Sequence, residues 1–272
     1  MKDLTYRAAN RAGRGVIRAL GIDVHLLGLD HLPRTGPVVL ACTHVSFLDF
    51  VMIERGAVER GRYVRFLTQK QAWVRPLVWR AMDAMKHVPV DRQAPAAAYL
   101  RARRLLTEGE VVGIFPEAGI SHAFTVRALM RGTAALARET GAPVVPVALW
   151  GPQRITSVGD PTRRPDLTRG RVVDVSFGPP MSAAPDADLT AWTHDLGGML
   201  TRMLEALQTL PHHRPRPGEH APWHPAHLGG HAPGIARGAE LDELPVRALA
   251  PSWGPGPHAE VGPPAAEGRD AV

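Results

Sequence analysis

Short apolar runs alternate along this chain with longer stretches of helical period. Residues 38–42, 64–68, 87–90, 111–115, 144–150 and 172–177 are brief and mostly apolar, and read as strands. Residues 70–85, 94–108, 128–140 and 187–210 repeat their apolar positions at helical spacing. The third of these closes on Gly141, shortly before a proline. Strands that take turns with helices specify an α/β fold: a single domain with a mixed, largely parallel sheet flanked by helices. Ligands in that architecture gather at the carboxyl ends of strands, so the residues just after 42 and 115 are the first to inspect for chemistry.

The two ends of the chain depart from this pattern. Within an N-terminal segment of residues 1–25, residues 4–20 read as a basic amphipathic helix. Arg7, Arg11, Arg14 and Arg18 fall on one face and Ala9, Ala12, Val16 and Leu20 on the opposite one, with Tyr6 and Ile17 along its edge. Such a helix either lies in a bilayer interface with its arginines toward anionic headgroups or packs on its own domain. The pattern leaves both open. Residues 26–210 form the domain. From residue 211 the periodicity stops, and 12 of the last 62 residues are proline and 9 glycine. Segment 211–272 is therefore expected to bury too little apolar surface to fold, and to be a disordered tail. It holds seven of the thirteen histidines, His220, His224, His227 and His231 among them. No carboxylate or cysteine cluster accompanies them, and no metal is expected.

Charge narrows the partners. The net charge of +6 comes almost wholly from arginine, since lysine occurs only at positions 2, 70 and 86. Residues 1–210 carry 27 basic against 19 acidic side chains. A basic fold suits phosphorylated metabolites, coenzyme A, anionic lipid or nucleic acid, and charge alone does not choose among them. Nucleic acid is not expected, because no aromatic-basic interleaving or recognition-helix motif is present. The single cysteine, Cys42, excludes an intrachain disulfide or a multi-cysteine zinc site and fits a cytoplasmic setting. No apolar run approaches the roughly 18 residues of a spanning helix, and the N-terminus lacks the apolar core of a signal peptide. The expectation is a soluble protein or one held at a membrane surface.

The candidate chemistry lies in two strand-end segments. His44 and Asp49 follow the strand at 38–42 and are five residues apart. On one continuous helix they would not share a face. Across a strand-to-helix turn, Asp49 can reach back to one imidazole nitrogen and leave the other free to accept a proton. Read alone, the pair also fits a packed histidine beside a helix-capping aspartate. No Gly-x-Ser-x-Gly elbow, Walker loop or dinucleotide fingerprint occurs. Ser46 is poorly spaced for activation by His44, and Cys42 reads as a small buried residue. The simplest role left to His44 is direct deprotonation of an acceptor hydroxyl. The second segment, residues 111–121, is a strand running into a turn with Glu117 and Ser121. Arg92, Arg127 and Arg131 bracket it, and arginine forks match phosphate oxygens.

These pieces, in this order, resemble the 1-acylglycerol-3-phosphate acyltransferases, the lysophosphatidic acid branch of the glycerolipid acyltransferases. The family's His-x4-Asp motif stands here as Thr43-His44-Val45-Ser46-Phe47-Leu48-Asp49. Its second motif, an arginine after a short strand, matches His87-Val88-Pro89-Val90-Asp91-Arg92. Its third, Phe-Pro-Glu-Gly-Thr-Arg-Ser, corresponds to Phe115-Pro116-Glu117-Ala118-Gly119-Ile120-Ser121, and its fourth, a proline in an apolar strand, to Val144-Val145-Pro146-Val147-Ala148. The resemblance spans roughly residues 30–180. Ala118 stands where the family has glycine, and Ile120 where it has arginine; Lys86 replaces the glycine that often opens the second motif.

The resemblance implies an O-acyltransferase that moves a fatty acyl group from acyl-CoA or acyl-carrier protein to the sn-2 hydroxyl of 1-acylglycerol-3-phosphate in phospholipid biosynthesis. His44 and Asp49 are then catalytic. Arg92, Glu117, Ser121, Arg127 and Arg131 bind substrate, with His122 a further candidate for the missing arginine's place. Neither cofactor nor metal is expected. The partners are a lysophospholipid acceptor, an acyl thioester donor and an anionic membrane surface, with the protein peripheral at the inner face of the cell membrane. Helix 70–85, apolar around most of its circumference, either borders the acyl chain and bilayer or is a core helix. A different lysolipid acceptor, which Ile120 keeps open, and a non-catalytic membrane-binding protein are the alternatives.

Overall fold

The computed structural model describes residues 4–72, 76–91, 94–159, 164–245 and 248–254. In chain order the elements are α1 (Leu4–Ala19), β1 (Asp23–Leu27), β2 (Val38–Cys42), α2 (Asp49–Glu59), β3 (Val64–Gln69), α3 (Pro76–Ala84), β4 (Val88–Val90), α4 (Ala96–Thr107), β5 (Val111–Ile114), α5 (Gly132–Thr140), β6 (Val144–Trp150), β7 (Val172–Phe177), α6 (Leu189–Gln208) and α7 (Ile235–Leu241). The strands form one sheet in the order β1-β7-β6-β2-β5-β3-β4. Every neighbouring pair is parallel except β6 with β7. The mixed, largely parallel sheet expected from the apolar runs is therefore present. Strands β2 to β6 point their carboxyl ends to one edge, where the chain leaves β2 toward His44 and β5 toward Glu117.

The apolar runs become strands because the sheet is covered on both faces. Every residue of β2 and β6 is buried, and Phe66, Trp150 and Phe177 fill the space between sheet and helices. Gly113 on β5 has a packing role. A Cβ there would come within 2.5 Å of the Phe66 ring, so the missing side chain lets Phe66 lie flat against β5. Three elements were not foreseen. β1 is a half-exposed edge strand with no apolar run, α2 begins inside the His-x4-Asp segment, and α7 is only seven residues long.

The N-terminal helix forms, but on a different face from the one its apolar residues marked. Tyr6 and Ile17 are buried, while Leu4 and Val16 are largely exposed. Polar pairing decides the face. The Tyr6 hydroxyl donates to Val64 O and to Glu54 Oε2, and Asn10 donates to Glu54 Oε1 at 3.1 Å. Losing those bonds would leave the buried carboxyl with only the Val64 N–H at 2.9 Å, a cost of about 1–3 kcal/mol for each unsatisfied group. Burial pushes the Glu54 carboxyl up to about 7.

The core-helix reading of residues 70–85 is corrected. Only α3 at Pro76–Ala84 is a described α-helix there, with Val78 and Trp79 exposed; residues 73–75 lie outside the described residues.

The disordered tail is corrected too, as far as residue 254. Leu249 pairs with Leu129 through both backbone groups, at 2.9 and 3.2 Å. Trp253 donates its indole N–H to Val126 O and occupies the space that a Cβ on Gly197 would need, 2.3 Å from its ring. A few large anchors on a preformed surface hold this segment without any periodic pattern. Residues 255–272 lie outside the described residues.

Candidate active site

Asp49, the first residue of α2, folds back over the turn that follows β2. Its Oδ2 accepts from the backbone N–H of Val45 (2.7 Å) and of Ser46 (2.8 Å) and from His44 Nδ1 (2.8 Å). A carboxylate in a helix's first turn also gains from the helix dipole. With Nδ1–H donating to Asp49, the His44 Nε2 lone pair is free, the tautomer that a general base needs. The Asp49 side chain is fully buried and the His44 side chain 21% exposed, so the anchor is dry while part of the imidazole reaches the surface. Burial pushes the Asp49 carboxyl up from its ordinary range, against the lowering effect of His44 and the two amides.

The neighbours of the pair fix it further. Ser46 is buried, donating to Thr156 O at 2.6 Å and accepting from Leu48 N, so its hydroxyl shapes the turn rather than attacking. Cys42 is buried, and burial drives its thiol well above the ordinary value, which leaves it unreactive. The His44 ring stacks on Phe115 with centroids 4.2 Å apart, and Phe115 stacks on Phe66 at 6.0 Å.

Glu117 joins the two strand ends. Its Oε1 accepts from the His44 N–H at 2.9 Å and its Oε2 from the Arg127 N–H at 3.0 Å. It is buried, and burial pushes its carboxyl up to about 8 despite those two bonds and the nearby Arg127 guanidinium. Glu117 thus braces the histidine's backbone from inside, with both carboxyl oxygens engaged by backbone N–H groups.

Arg127 is likewise turned inward. Its guanidinium is buried, donating from Nε to Glu117 O, from Nη1 to Ile120 O and from Nη2 to Glu243 O, and pairing with Asp242 at 3.3 Å. These partners commit it to tying the turn after β5 to the C-terminal segment. Ser121 is buried and accepts from Phe124 N through its carbonyl. Ile120, where the family has arginine, is also buried. Arg131 is exposed and reaches Thr190 at the start of α6. Arg92 lies outside the described residues. Ala118 has φ 54°, left-handed backbone that costs an L-residue about 1–2 kcal/mol. That conformation is the physical reason for a glycine at this place in the motif.

The structure thus brings together His44, Asp49, Glu117 and Arg127. Two contributors escaped sequence reasoning. Phe115 was visible as a motif residue, but its stacking under the imidazole was not. Asp242 accepts from the N–H of His122 at 3.1 Å, lies 2.8 Å from His122 Nδ1 and pairs with Arg127. No pattern in the sequence marks it, since it stands 120 residues away in an aperiodic segment.

Known proteins are similar to this chain in sequence and fold. Residues 23–150 match the acyltransferase family. The chain is 30% identical over 138 residues to the 1-acyl-sn-glycerol-3-phosphate acyltransferase of Bacillus subtilis (strain 168), covering 50% of this chain and 67% of that protein. It is 30% identical over 140 residues to a chloroplastic 1-acyl-sn-glycerol-3-phosphate acyltransferase of Arabidopsis thaliana, of whose length it spans 38%. Its fold matches the crystal structure of the 1-acyl-sn-glycerophosphate acyltransferase of Thermotoga maritima with a TM-score of 0.63 at 20% identity, over 75% of this chain and 80% of the other. The chain belongs to the acyltransferase family, among relatives named as 1-acyl-sn-glycerol-3-phosphate acyltransferases.

Proposed function

We propose that this protein transfers a fatty acyl group from a thioester, acyl-CoA or acyl-carrier protein, to the sn-2 hydroxyl of 1-acylglycerol-3-phosphate. The observation that carries the reading is the 2.8 Å bond from His44 Nδ1 to a buried Asp49, which leaves Nε2 free at the carboxyl edge of the sheet. His44 Nε2 takes the proton of the acceptor hydroxyl as its oxygen attacks the thioester carbonyl. The tetrahedral intermediate then collapses, the C–S bond breaks, and the thiolate leaves to be protonated as free thiol. A thiolate needs little acid assistance, so one base is enough. The Val45 and Ser46 amides are held by Asp49 Oδ2, so the oxyanion draws on other donors.

Arg92, by its place after the short strand, holds the acceptor's phosphate. Exposed apolar side chains support a lipid-facing surface: Phe47 and Phe50 beside the His44 turn, and Val78 and Trp79 on α3. On α1, exposed Leu4 and Val16 lie among the exposed Arg7, Arg11 and Arg18, a composition suited to an anionic surface such as the inner face of the cell membrane. Among the described residues no helix is long and apolar enough to cross a membrane.

Purified protein mixed with 1-acylglycerol-3-phosphate and either donor should yield phosphatidic acid by mass spectrometry, with stoichiometric thiol release. Thiol release that needs no acceptor would sink the reading. A second acceptor class is favoured by Ile120, whose burial leaves the family's arginine position without a cation. A panel of lysolipids with larger headgroups, offered with one donor, decides between them. Arg92→Ala should raise the apparent acceptor KM with kcat little changed, and an unchanged KM would remove Arg92 from the phosphate site.

A further inference from the structure

A second cluster of chemistry-bearing side chains lies away from His44, where the C-terminal segment leaves α6. His25 on β1 and Asp174 on β7 face each other across the parallel ladder. His212, in the turn after α6, comes over the same point. The ligand atoms of these three residues all lie within 4.8 Å of one another. Asp174 Oδ1 is 3.1 Å from His25 Nδ1, and its Oδ2 is 2.8 Å from His212 Nε2. The Asp174 side chain is only 3% exposed, while His25 is 43% and His212 37% exposed. The site therefore has a buried anionic floor and an opening to solvent.

Hydrogen bonding alone does not account for His25 as a neutral ring. Its Nδ1 faces Asp174 and its Nε2 faces Asp23 Oδ2 at 3.2 Å, and both partners are carboxylates, which only accept when ionised. A neutral imidazole has one N–H to give. The arrangement is one that metal sites use: a ligating histidine gives one nitrogen to the ion and donates the other N–H to a carboxylate. Asp23 stands where that outer partner belongs. Buried His213 plays the matching part for the carboxylate, its Nε2 lying 2.7 Å from Asp174 Oδ2.

We infer that His25, Asp174 and His212 form a binding site for a divalent transition-metal ion of the zinc class. Two imidazoles and one carboxylate suit zinc, cobalt or nickel rather than magnesium or calcium, which prefer all-oxygen shells. Ligands about 2.0–2.2 Å from a tetrahedral ion sit about 3.3 Å from one another. The Asp174 carboxylate already stands near that spacing from both rings, so side-chain adjustment seats the ion and solvent completes the fourth position. The ion joins β1 and β7 to the first turn of the C-terminal segment. Sequence spacing could not show this, because the ligands are 149 and 38 residues apart along the chain. Two of the other tail histidines are engaged elsewhere: His224 Nε2 lies 3.2 Å from Gln208 O, and His231 Nδ1 accepts from Ala221 N.

The test uses the full chain, stripped with chelator, then titrated with zinc by calorimetry and with cobalt(II) by visible absorption. One equivalent should bind, with the intense absorption of a tetrahedral nitrogen-oxygen site, and zinc should raise the melting temperature. Asp23→Ala, which removes an outer partner, should weaken binding about 10–100-fold. His25→Ala and His212→Ala should each weaken it further and abolish the thermal shift. His25 and His212 are partly exposed, so circular dichroism should show both variants folded. His220→Ala/His231→Ala, which removes two tail histidines with rings 4.6 Å apart, should bind as the wild type does. No stoichiometric binding would overturn the site in favour of a doubly protonated His25. So would binding that survives loss of His25 and His212, or that disappears with His220 and His231, which would be adventitious.

Discussion

Two histidine–aspartate pairs flank the turn after β5, and their direct geometry is nearly the same. His44 Nδ1 lies 2.8 Å from Asp49, with side chains 21% and 0% exposed; His122 Nδ1 lies 2.8 Å from Asp242, with side chains 22% and 3% exposed. What differs is the rest of each carboxylate's company. Asp49 is held by two neutral backbone N–H groups, so its charge is directed at His44 alone. Asp242 divides its Oδ1 between the ring of His122, the His122 N–H and the Arg127 guanidinium. A carboxylate already compensated by a buried arginine adds little to the basicity of its histidine. The second pair is a strut that ties the C-terminal segment to the turn carrying Glu117. The lesson is that a histidine–aspartate contact identifies a base only when no other charged group claims the aspartate.

Replacing each partner separates the two roles, and the largest effect should come from the base. Loss of a general base costs about 10²–10⁴ in rate, so His44→Ala should lower kcat by that factor with an unchanged melting temperature. Wild-type turnover in a thiol-release assay would contradict it. Asp49→Asn keeps the shape and removes the charge. A hydrogen bond to a charged group is worth about 1.5–3 kcal/mol, so kcat should fall about ten- to a hundredfold.

The strut behaves differently. Asp242→Ala leaves Arg127 buried without its carboxylate, which costs about 3–5 kcal/mol and should appear as a lower denaturation midpoint. His122→Ala, which keeps that ion pair, should retain acyl transfer; a His122→Ala loss as large as that of His44→Ala would erase the distinction drawn between the pairs.

The most diagnostic effect concerns Glu117. Its folded value of about 8 lies above that of a free glutamate, about 4.3. The proton is therefore held more tightly in the folded state. The stability this contributes is full below about pH 4 and is lost as pH rises through about 8. Glu117→Gln removes the titration. Its melting temperature relative to wild type should therefore climb between about pH 5 and about pH 9, and a flat difference across that range would place the group's ionisation elsewhere.

How much of this was legible in the sequence follows from the range of the forces involved. The buried strands were readable because continuous apolar runs suit a sheet covered on both faces, and the site's histidine and aspartate were readable because they are five residues apart. The face of α1 was misread because it is chosen by Tyr6 and Asn10 pairing with Glu54, contacts 44 and 48 residues distant in sequence. The buried partners of Arg127, backbone carbonyls and Asp242, were not legible because nothing local in the sequence marks them. The packing of residues 211–245 and 248–254 was missed for the same reason: Trp253 and Leu249 are isolated anchors whose sockets, Gly197 and Leu129, lie far back in the chain.

A double-mutant cycle between His44 and Asp49, read as kcat/KM for acyl transfer to 1-acylglycerol-3-phosphate, tests the pair most directly. If Asp49 acts through the imidazole, Asp49→Asn should cost its full factor in the wild type and almost nothing once His44 is alanine. If the two losses simply add, Asp49 acts independently of His44, and the pair is not the base proposed for this enzyme.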